Sequence, residues 1–154
     1  MIIGNFIKGV KLKYRNHYFS SISFNSSRCK RDNIFFAIKG IKIDGNKFIN
    51  HAIQKGAKTI ISNKKFEGIK KDILFIRSSN VRKTLAEFAY KIYKDKPKNI
   101  IAVTGTNGKS SVADFYFQLL NLSNKKVASI GTLGIRTKNN LKKVSNTTLD
   151  PIGL

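Results

Sequence analysis

"AVTGTNGKSSV", residues Ala102–Val112, is the stretch on which the reading of this chain turns. The apolar run "IIAVTG", Ile100 to Gly105, leads into it and predicts a buried strand. Beyond it, Val112, Phe115, Tyr116, Leu119 and Leu120 recur at helical spacing from Lys109 onward. Gly105 and Gly108 permit tight backbone turns between the two elements. A turn of that kind leaves free N–H groups and the positive end of a helix dipole facing outward, which suits an anion. Lys109 adds a full positive charge for phosphate, and the Ser110 hydroxyl suits Mg²⁺. The strict P-loop pattern puts a glycine five residues before Gly108, where this chain has Val103, so the spacing is the shorter GxxGKS. A plain glycine-rich βα turn would not need Lys-Ser at that place.

Working outward, the rest of the chain also alternates strand and helix. "SSISFNSS" (Ser20–Ser27) reads as a strand entering a loop, and Ile34–Ile38 as an apolar strand stopped by Gly40. Phe48, Ile49, Ala52 and Ile53 share one helical face, with Gly56 as a C-terminal glycine. "AKTIIS" and "DILFI" are short buried strands, and "NKKFEGIKK" between them reads as a polar turn or loop. Val81, Leu85, Phe88, Ala89 and Ile92 mark the clearest helix, capped by Ser78, Ser79 or Asn80. "YKDKPKN" (Tyr93–Asn99) is polar, aperiodic and carries a proline, which places a domain boundary there. "KVASIGTLGI" reads as one more strand ending in glycines, and "RTKNNLKKVSNTTLDP" as loop with a short strand near its centre. The expected fold class is α/β: a small domain over residues 1–95, then the βαβ start of another over 96–154.

The totals narrow the partners. A chain of 154 residues that is 41% hydrophobic has enough apolar content for a real core. No apolar run reaches the ~18 residues of a membrane span, and the N-terminus lacks the layout of a signal peptide. The single cysteine, Cys29, has no partner in the chain, which fits a reducing, cytoplasmic setting. No His or Cys stands at metal-ligand spacing from it, and His51, beside core positions of a helix, reads as structural. The net charge of +22 suggests a polyanion. Yet lysine far outnumbers arginine, the lysines run along the whole chain, and no aromatics interleave with arginine as in a stacking platform. The distribution argues against nucleic acid and leaves room for a multiply phosphorylated substrate.

Several motifs in one order carry a resemblance. "VTGTNGKSS" resembles the ATP loop of the Mur ligases. "NSSRCKRDNIFFAIKGIKIDGNKFINHAIQKGAKTIIS" is similar to the N-terminal uridine-diphosphate domain of the tripeptide-synthetase branch of that family. "NVRKTLAEFAYKIYKDKP" resembles the helix and linker before the ATP loop, and "IGTLGI" and "NTTLDP" resemble the family's next strand and its substrate-binding threonines. The resemblance runs from about residue 20 to the end of the chain. It implies an ATP-dependent ligase of peptidoglycan synthesis that adds an amino acid to UDP-N-acetylmuramoyl-L-alanyl-D-glutamate. A substrate carboxylate attacks the γ-phosphate of ATP, and an amine then attacks the acyl phosphate. Catalysis of that kind is mostly positioning and cationic stabilisation.

The same resemblance implies the site residues. Gly105, Thr106, Asn107, Gly108, Lys109, Ser110 and Ser111 would hold ATP, with Lys109 on phosphate and Ser110 on Mg²⁺. Asn25 and Ser27, with the turn Ile41, Lys42 and Ile43, would hold the uridine diphosphate. Asn146, Thr147 and Thr148 would hydrogen-bond the sugar-peptide. Two positions depart from the pattern: Ser26 stands where the family usually has Asp, and Asn46 where His or Arg is common. In the family the central domain continues past these threonines with a Glu, a His and a modified Lys, and a third domain selects the amino acid. Here the only glutamates, Glu67 and Glu87, precede the loop. The expectation is the front part of a ligase, inactive alone: a truncated product, a fragment, or half of a split enzyme completed by a second chain. Two other classes stay open, a non-catalytic nucleotide-binding module and a basic nucleic-acid-binding protein.

Overall fold

A computed structural model describes residues 1–40 and 43–143. The chain divides into two compact units, Met1–Lys94 and Asp95–Leu154.

The first unit is a five-stranded sheet in the order β1-β2-β3-β5-β4. Strands β1 (Ile22–Ser23), β2 (Asn33–Phe36), β3 (Ala57–Ser62) and β5 (Ile73–Arg77) run parallel. All four residues of β2 are buried, because both faces of the sheet are covered. On one face, helix α1 (Ile49–Gln54) sets Ile49 and Ala52 against Phe35, Ala37 and Ile60. Its chain continues through Gly56, whose φ of +105° turns it back into β3. On the other face, helix α2 (Val81–Ile92) presents Val81, Leu85, Phe88 and Ala89, the stripe read from its spacing. Phe88 packs against the rings of Phe6, Phe19 and Phe36 at centroid distances of 5.0, 5.8 and 5.3 Å. Asn80 caps this helix by accepting from the Lys83 N–H at 3.0 Å.

One expectation for this unit is corrected. The polar segment 63–71 is not only loop: Gly68–Lys70 forms β4, antiparallel to β5 at the sheet edge. Lys71 and Asp72 connect the two strands with φ of +49° and +61°, so both central residues of a two-residue hairpin turn are left-handed. Asn-Gly is the pair that advertises such a turn, and Lys-Asp does not.

In the second unit, helix α3 (Lys109–Leu122) starts directly after the glycine loop. A three-stranded antiparallel meander comes next: β6 (Ser129–Gly131), β7 (Gly134–Thr137) and β8 (Asn140–Lys142). The single strand expected over "KVASIGTLGI" is therefore a hairpin, turning at Thr132–Leu133. Glycine at 134 is required: its φ is +109° and a Cβ there would lie 2.4 Å from the Lys142 carbonyl oxygen.

The buried strand expected over Ile100–Gly105 is not formed among the described residues. Ile100 and Ile101 are 83% and 57% exposed, and no strand pairs with the segment. An apolar sequence becomes a strand only when neighbouring strands take its N–H and C=O groups, and the meander takes none of them. The apolar stripe of α3 is likewise open, with Phe115 and Leu119 each 64% exposed, while Phe117 is the residue that is buried. No helix among the described residues is long and apolar enough to cross a membrane.

The aromatic cluster gives a direct test. Phe88→Ala should destabilise the first unit by about 3–5 kcal/mol, against about 1 kcal/mol for Asn80→Ala, in urea unfolding followed by circular dichroism. Equal effects from the two substitutions would displace Phe88 from the centre of this core.

Candidate functional site

Parallel strands leave their sheet at a common edge, and the loops after β1 and β2 emerge there together. After β1, Asn25 caps a short 3-10 turn, Ser26–Arg28, by accepting from the Ser27 N–H at 2.9 Å. Ser23 fixes the same loop from below: its hydroxyl donates to the Asn25 carbonyl at 2.8 Å and accepts from the Asn25 N–H at 3.2 Å. The Ser27 side chain is left exposed at the top of the turn. Ser26, at the position that departs from the family's Asp, is buried, and its hydroxyl lies 3.0 Å from Nδ1 of His51. That contact ties the turn to α1. The sequence reading gives His51 a structural place but misses this link, since 25 residues separate the pair.

After β2 the chain makes a second loop. The Gly40 N–H donates to the Ile43 carbonyl and the Gly45 N–H to the Ile38 carbonyl, each at 2.9 Å. A Cβ on Gly45 would sit 2.6 Å from the Ile38 oxygen, so the loop closes at its base only with glycine there. Asp44 then caps the next 3-10 turn, accepting from the Asn46 N–H at 2.9 Å and from the Asn46 amide at 2.8 Å. These two donors, the backbone one first, hold the Asp44 carboxyl below the usual aspartate range. Ile43 is 62% exposed. Ile41 and Lys42 lie outside the described residues.

Cys29 closes the base of the first loop. It is buried, its Sγ lies 3.7 Å from the Asn25 carbonyl oxygen, and burial pushes the thiol up, away from the reactive thiolate.

In the second unit, Gly105 and Gly108 have φ of +149° and +73°, both positive. Gly108 is the N-cap of α3, and no side chain caps the helix start. The first-turn N–H groups thus face outward, as an anion site requires. Lys109 folds back over the loop: its ammonium donates to the carbonyl of Gly105 and, at 3.0 Å, to that of Thr106. An ammonium has three donors, so one remains for a phosphate oxygen. Thr106, Asn107, Ser110 and Ser111 are exposed around the same loop.

Three residues that the sequence reading does not single out frame this loop. The Ser110 hydroxyl lies 3.0 Å from that of Thr132, in the β6–β7 turn. Asp114, one helical turn on, forms an ion pair with Arg136 of β7 and accepts from Gln118 at 2.6 Å. The Arg136 guanidinium lies over the Phe117 ring, 4.6 Å from its centroid. Ser110, Asp114 and Phe117 fall at i, i+4 and i+7, so a mostly polar stripe of α3 with Phe117 in it faces the hairpin. That spacing is readable in the sequence, but only a search for polar periodicity would find it.

The arrangement fits a nucleotide with Mg²⁺. The loop supplies backbone donors and one free ammonium donor, and Ser110 supplies one neutral oxygen. Mg²⁺ takes few protein ligands and keeps water and phosphate oxygens, so a single hydroxyl is a sufficient anchor. Among the described residues no group of three His, Cys, Asp or Glu side chains stands ready for a metal. Asn146, Thr147 and Thr148 lie outside the described residues.

Comparison with known proteins agrees with these two regions. The family model described as Mur ligase family, catalytic domain, matches residues 18–93, and that described as Mur ligase middle domain matches residues 103–154. The UDP-N-acetylmuramoyl-L-alanyl-D-glutamate--2,6-diaminopimelate ligase of Rickettsia prowazekii is 43% identical over 122 residues, covering 79% of this chain and 25% of that protein. The enzyme of the same name from Clostridium tetani is 45% identical over 118 residues, covering 73% and 24%. The chain thus spans about a quarter of the length of these curated relatives. A solved structure of a ligase of that name superposes with a TM-score of 0.76 at 25% identity, covering 99% of this chain and 31% of the other. The crystal structure of MurF ligase from Thermotoga maritima in complex with ADP matches with a TM-score of 0.52 at 28% identity, over 69% of this chain and 24% of that one.

The Asp44 cap yields a pH prediction. A folded-state value below the ordinary one means stability that is present above the ordinary aspartate value of 3.8 and lost as pH falls through the lowered value. Asp44→Asn keeps an acceptor but removes the charge. Its melting temperature should fall short of wild type at about pH 6, and the gap should narrow as pH falls below 3.8. A gap independent of pH would assign the effect to shape and not to charge.

Proposed function

The chain belongs to the Mur ligase family, and from that premise we propose that its two units are the substrate-docking and nucleotide-holding parts of an ATP-dependent amide ligase acting in the cytoplasm on a peptidoglycan precursor. Residues 1–95 dock a uridine-diphosphate sugar-peptide, UDP-N-acetylmuramoyl-L-alanyl-D-glutamate, through Asn25, Ser27 and residues 41–43. Residues 96–154 open the ATP-binding central domain, with Gly105–Ser111 around the phosphates and Asn146, Thr147 and Thr148 toward the sugar-peptide. The names of the relatives point to 2,6-diaminopimelate as the amino acid added.

The observation that carries this reading is the loop itself: two glycines at positive φ, an uncapped helix start, and a lysine bound to two loop carbonyls. A lysine anchored in this way costs little conformational entropy when phosphate arrives, because the side chain is already held. Mg²⁺ would lie at Ser110 and supply charge neutralisation at the phosphates. Asn25 acts differently. Its side chain shapes the turn, so its part in docking is to present the exposed Ser27 hydroxyl and nearby backbone groups.

A second reading is nucleotide binding without turnover by these 154 residues. The described residues favour it, since they hold no group of three His, Cys, Asp or Glu side chains that could bind the further metal ions of turnover.

Calorimetry on the chain at moderate salt tests the ligand binding that both readings require. UDP-N-acetylmuramoyl-dipeptide should bind, and Ser27→Ala should weaken it by roughly threefold to tenfold, the worth of one hydrogen bond. Mg-ADP should bind weakly, and Lys109→Ala should reduce that by about tenfold or more. If neither ligand binds while polyanions do, with an affinity that collapses with salt, the charge of +22 and not the loop would define the activity.

A further inference from the structure

The Ser110–Thr132 contact assigns a task to Thr132 that the loop sequence does not reveal. A serine hydroxyl has one proton and two lone pairs. When its oxygen faces a cation, the lone pairs point at the cation and the proton must go elsewhere. Left without an acceptor, the O–H dipole rotates freely, and many of its orientations aim the proton at the cation. In this structure Thr132 Oγ1 lies 3.0 Å from Ser110 Oγ, within reach to accept that proton.

Thr132 is held there by its backbone and by its neighbours. It is the first residue of the two-residue turn closed by the Gly131–Gly134 pair, and Gly134 cannot be replaced without a clash at Lys142. Two residues beyond Gly134, Arg136 pairs with Asp114 and covers Phe117, both on the Ser110 stripe of α3. The hairpin is pinned to the helix at two levels, and its turn meets the helix at Ser110.

We infer that Thr132 is a positioning residue for the metal–nucleotide site: it accepts the Ser110 proton and so fixes the Ser110 lone pairs toward a divalent cation bound with nucleotide. The inference rests on the reading of residues 105–111 as a nucleotide loop. It requires no contact between Thr132 and the ligand. Groups that orient a metal ligand are worth roughly 10- to 100-fold in metal affinity.

The test is the Mg²⁺ dependence of ADP binding by the 154-residue chain, measured by calorimetry with ADP alone and with ADP plus Mg²⁺. In the wild type Mg²⁺ should tighten binding, and Ser110→Ala should abolish that gain. Thr132→Val keeps the shape of the side chain and removes the acceptor. It should lower the gain by about tenfold while leaving metal-free ADP affinity unchanged, and Thr132→Ser should restore it. Adding Thr132→Val to Ser110→Ala should cost nothing more, because the two act through one oxygen. If Thr132→Val keeps the wild-type gain while Ser110→Ala loses it, the inference falls and the nucleotide reading stands. If wild type and Ser110→Ala show the same Mg²⁺ dependence, the nucleotide–metal reading falls and takes the inference with it. A loss of metal-free affinity in Thr132→Val equal to the loss with Mg²⁺ would make Thr132 a determinant of loop shape and overturn the proposal.

Discussion

The parallel pairing of β2 with β3 is the constraint on which the first unit depends. Parallel neighbours cannot be joined by a tight turn, so the chain must cross the sheet between them, and α1 is that crossover. Burying β2 on both faces then requires a second layer, which α2 provides with Phe88. The same pairing brings the loops after β1 and β2 to one edge. Neither loop is free there. Asn25 and Asp44 each commit one side-chain oxygen to the backbone of a 3-10 turn, and His51 reaches from the crossover helix to Ser26. The polar side chains at this edge are thus engaged in capping the loops themselves.

The second unit is organised the other way round. Its helix meets the meander with a polar stripe, and most of its apolar residues remain in solvent. The Asp114–Arg136 pair is partly exposed, at 27% and 40%, so its contribution to stability is small, on the order of 1 kcal/mol at most. What the pair supplies is geometry. A planar guanidinium over Phe117 with a carboxylate at its edge permits few arrangements, and the one formed here accompanies the hairpin turn lying beside the helix start. Stability for such a unit has to come from apolar cover on Val112, Phe115, Leu119 and Leu122, all exposed among the described residues.

Local patterns in the sequence are legible where one side chain determines its own surroundings. The stripe of α2, its Asn80 cap, the glycine after α1 and the α/β alternation each depend on neighbours within a few residues. Legibility fails where the outcome depends on a distant partner or an unusual turn. "IIAVTG" has the composition of a buried strand, but burial is decided by other strands. The Lys71–Asp72 turn adopts a conformation that its residues do not favour, so nothing in the polar segment announces β4. The loop 105–111 is visible as glycines, lysine and serine, while Thr132 and Arg136 are not, because the contacts that give them meaning span 22 residues.

The abundance of lysine sharpens what makes Lys109 different. In a chain with net charge +22, positive charge near any given surface point carries little information, and an anion finds cations almost everywhere. Exposed lysines attract by a screened, long-range term that falls away over about 8 Å at physiological salt. Lys109 differs in having two of its three donors committed to the carbonyls of Gly105 and Thr106, which sets the direction of the third. It also stands at the first position of a helix whose start carries no side-chain cap, so its charge and the helix dipole act on the same point. On the proposed reading, charge would bring phosphate to this protein without choosing a place. The choice would be made by the backbone at Gly105 and Gly108, both at positive φ, and would therefore be a property of the loop's shape that salt would weaken but not relocate.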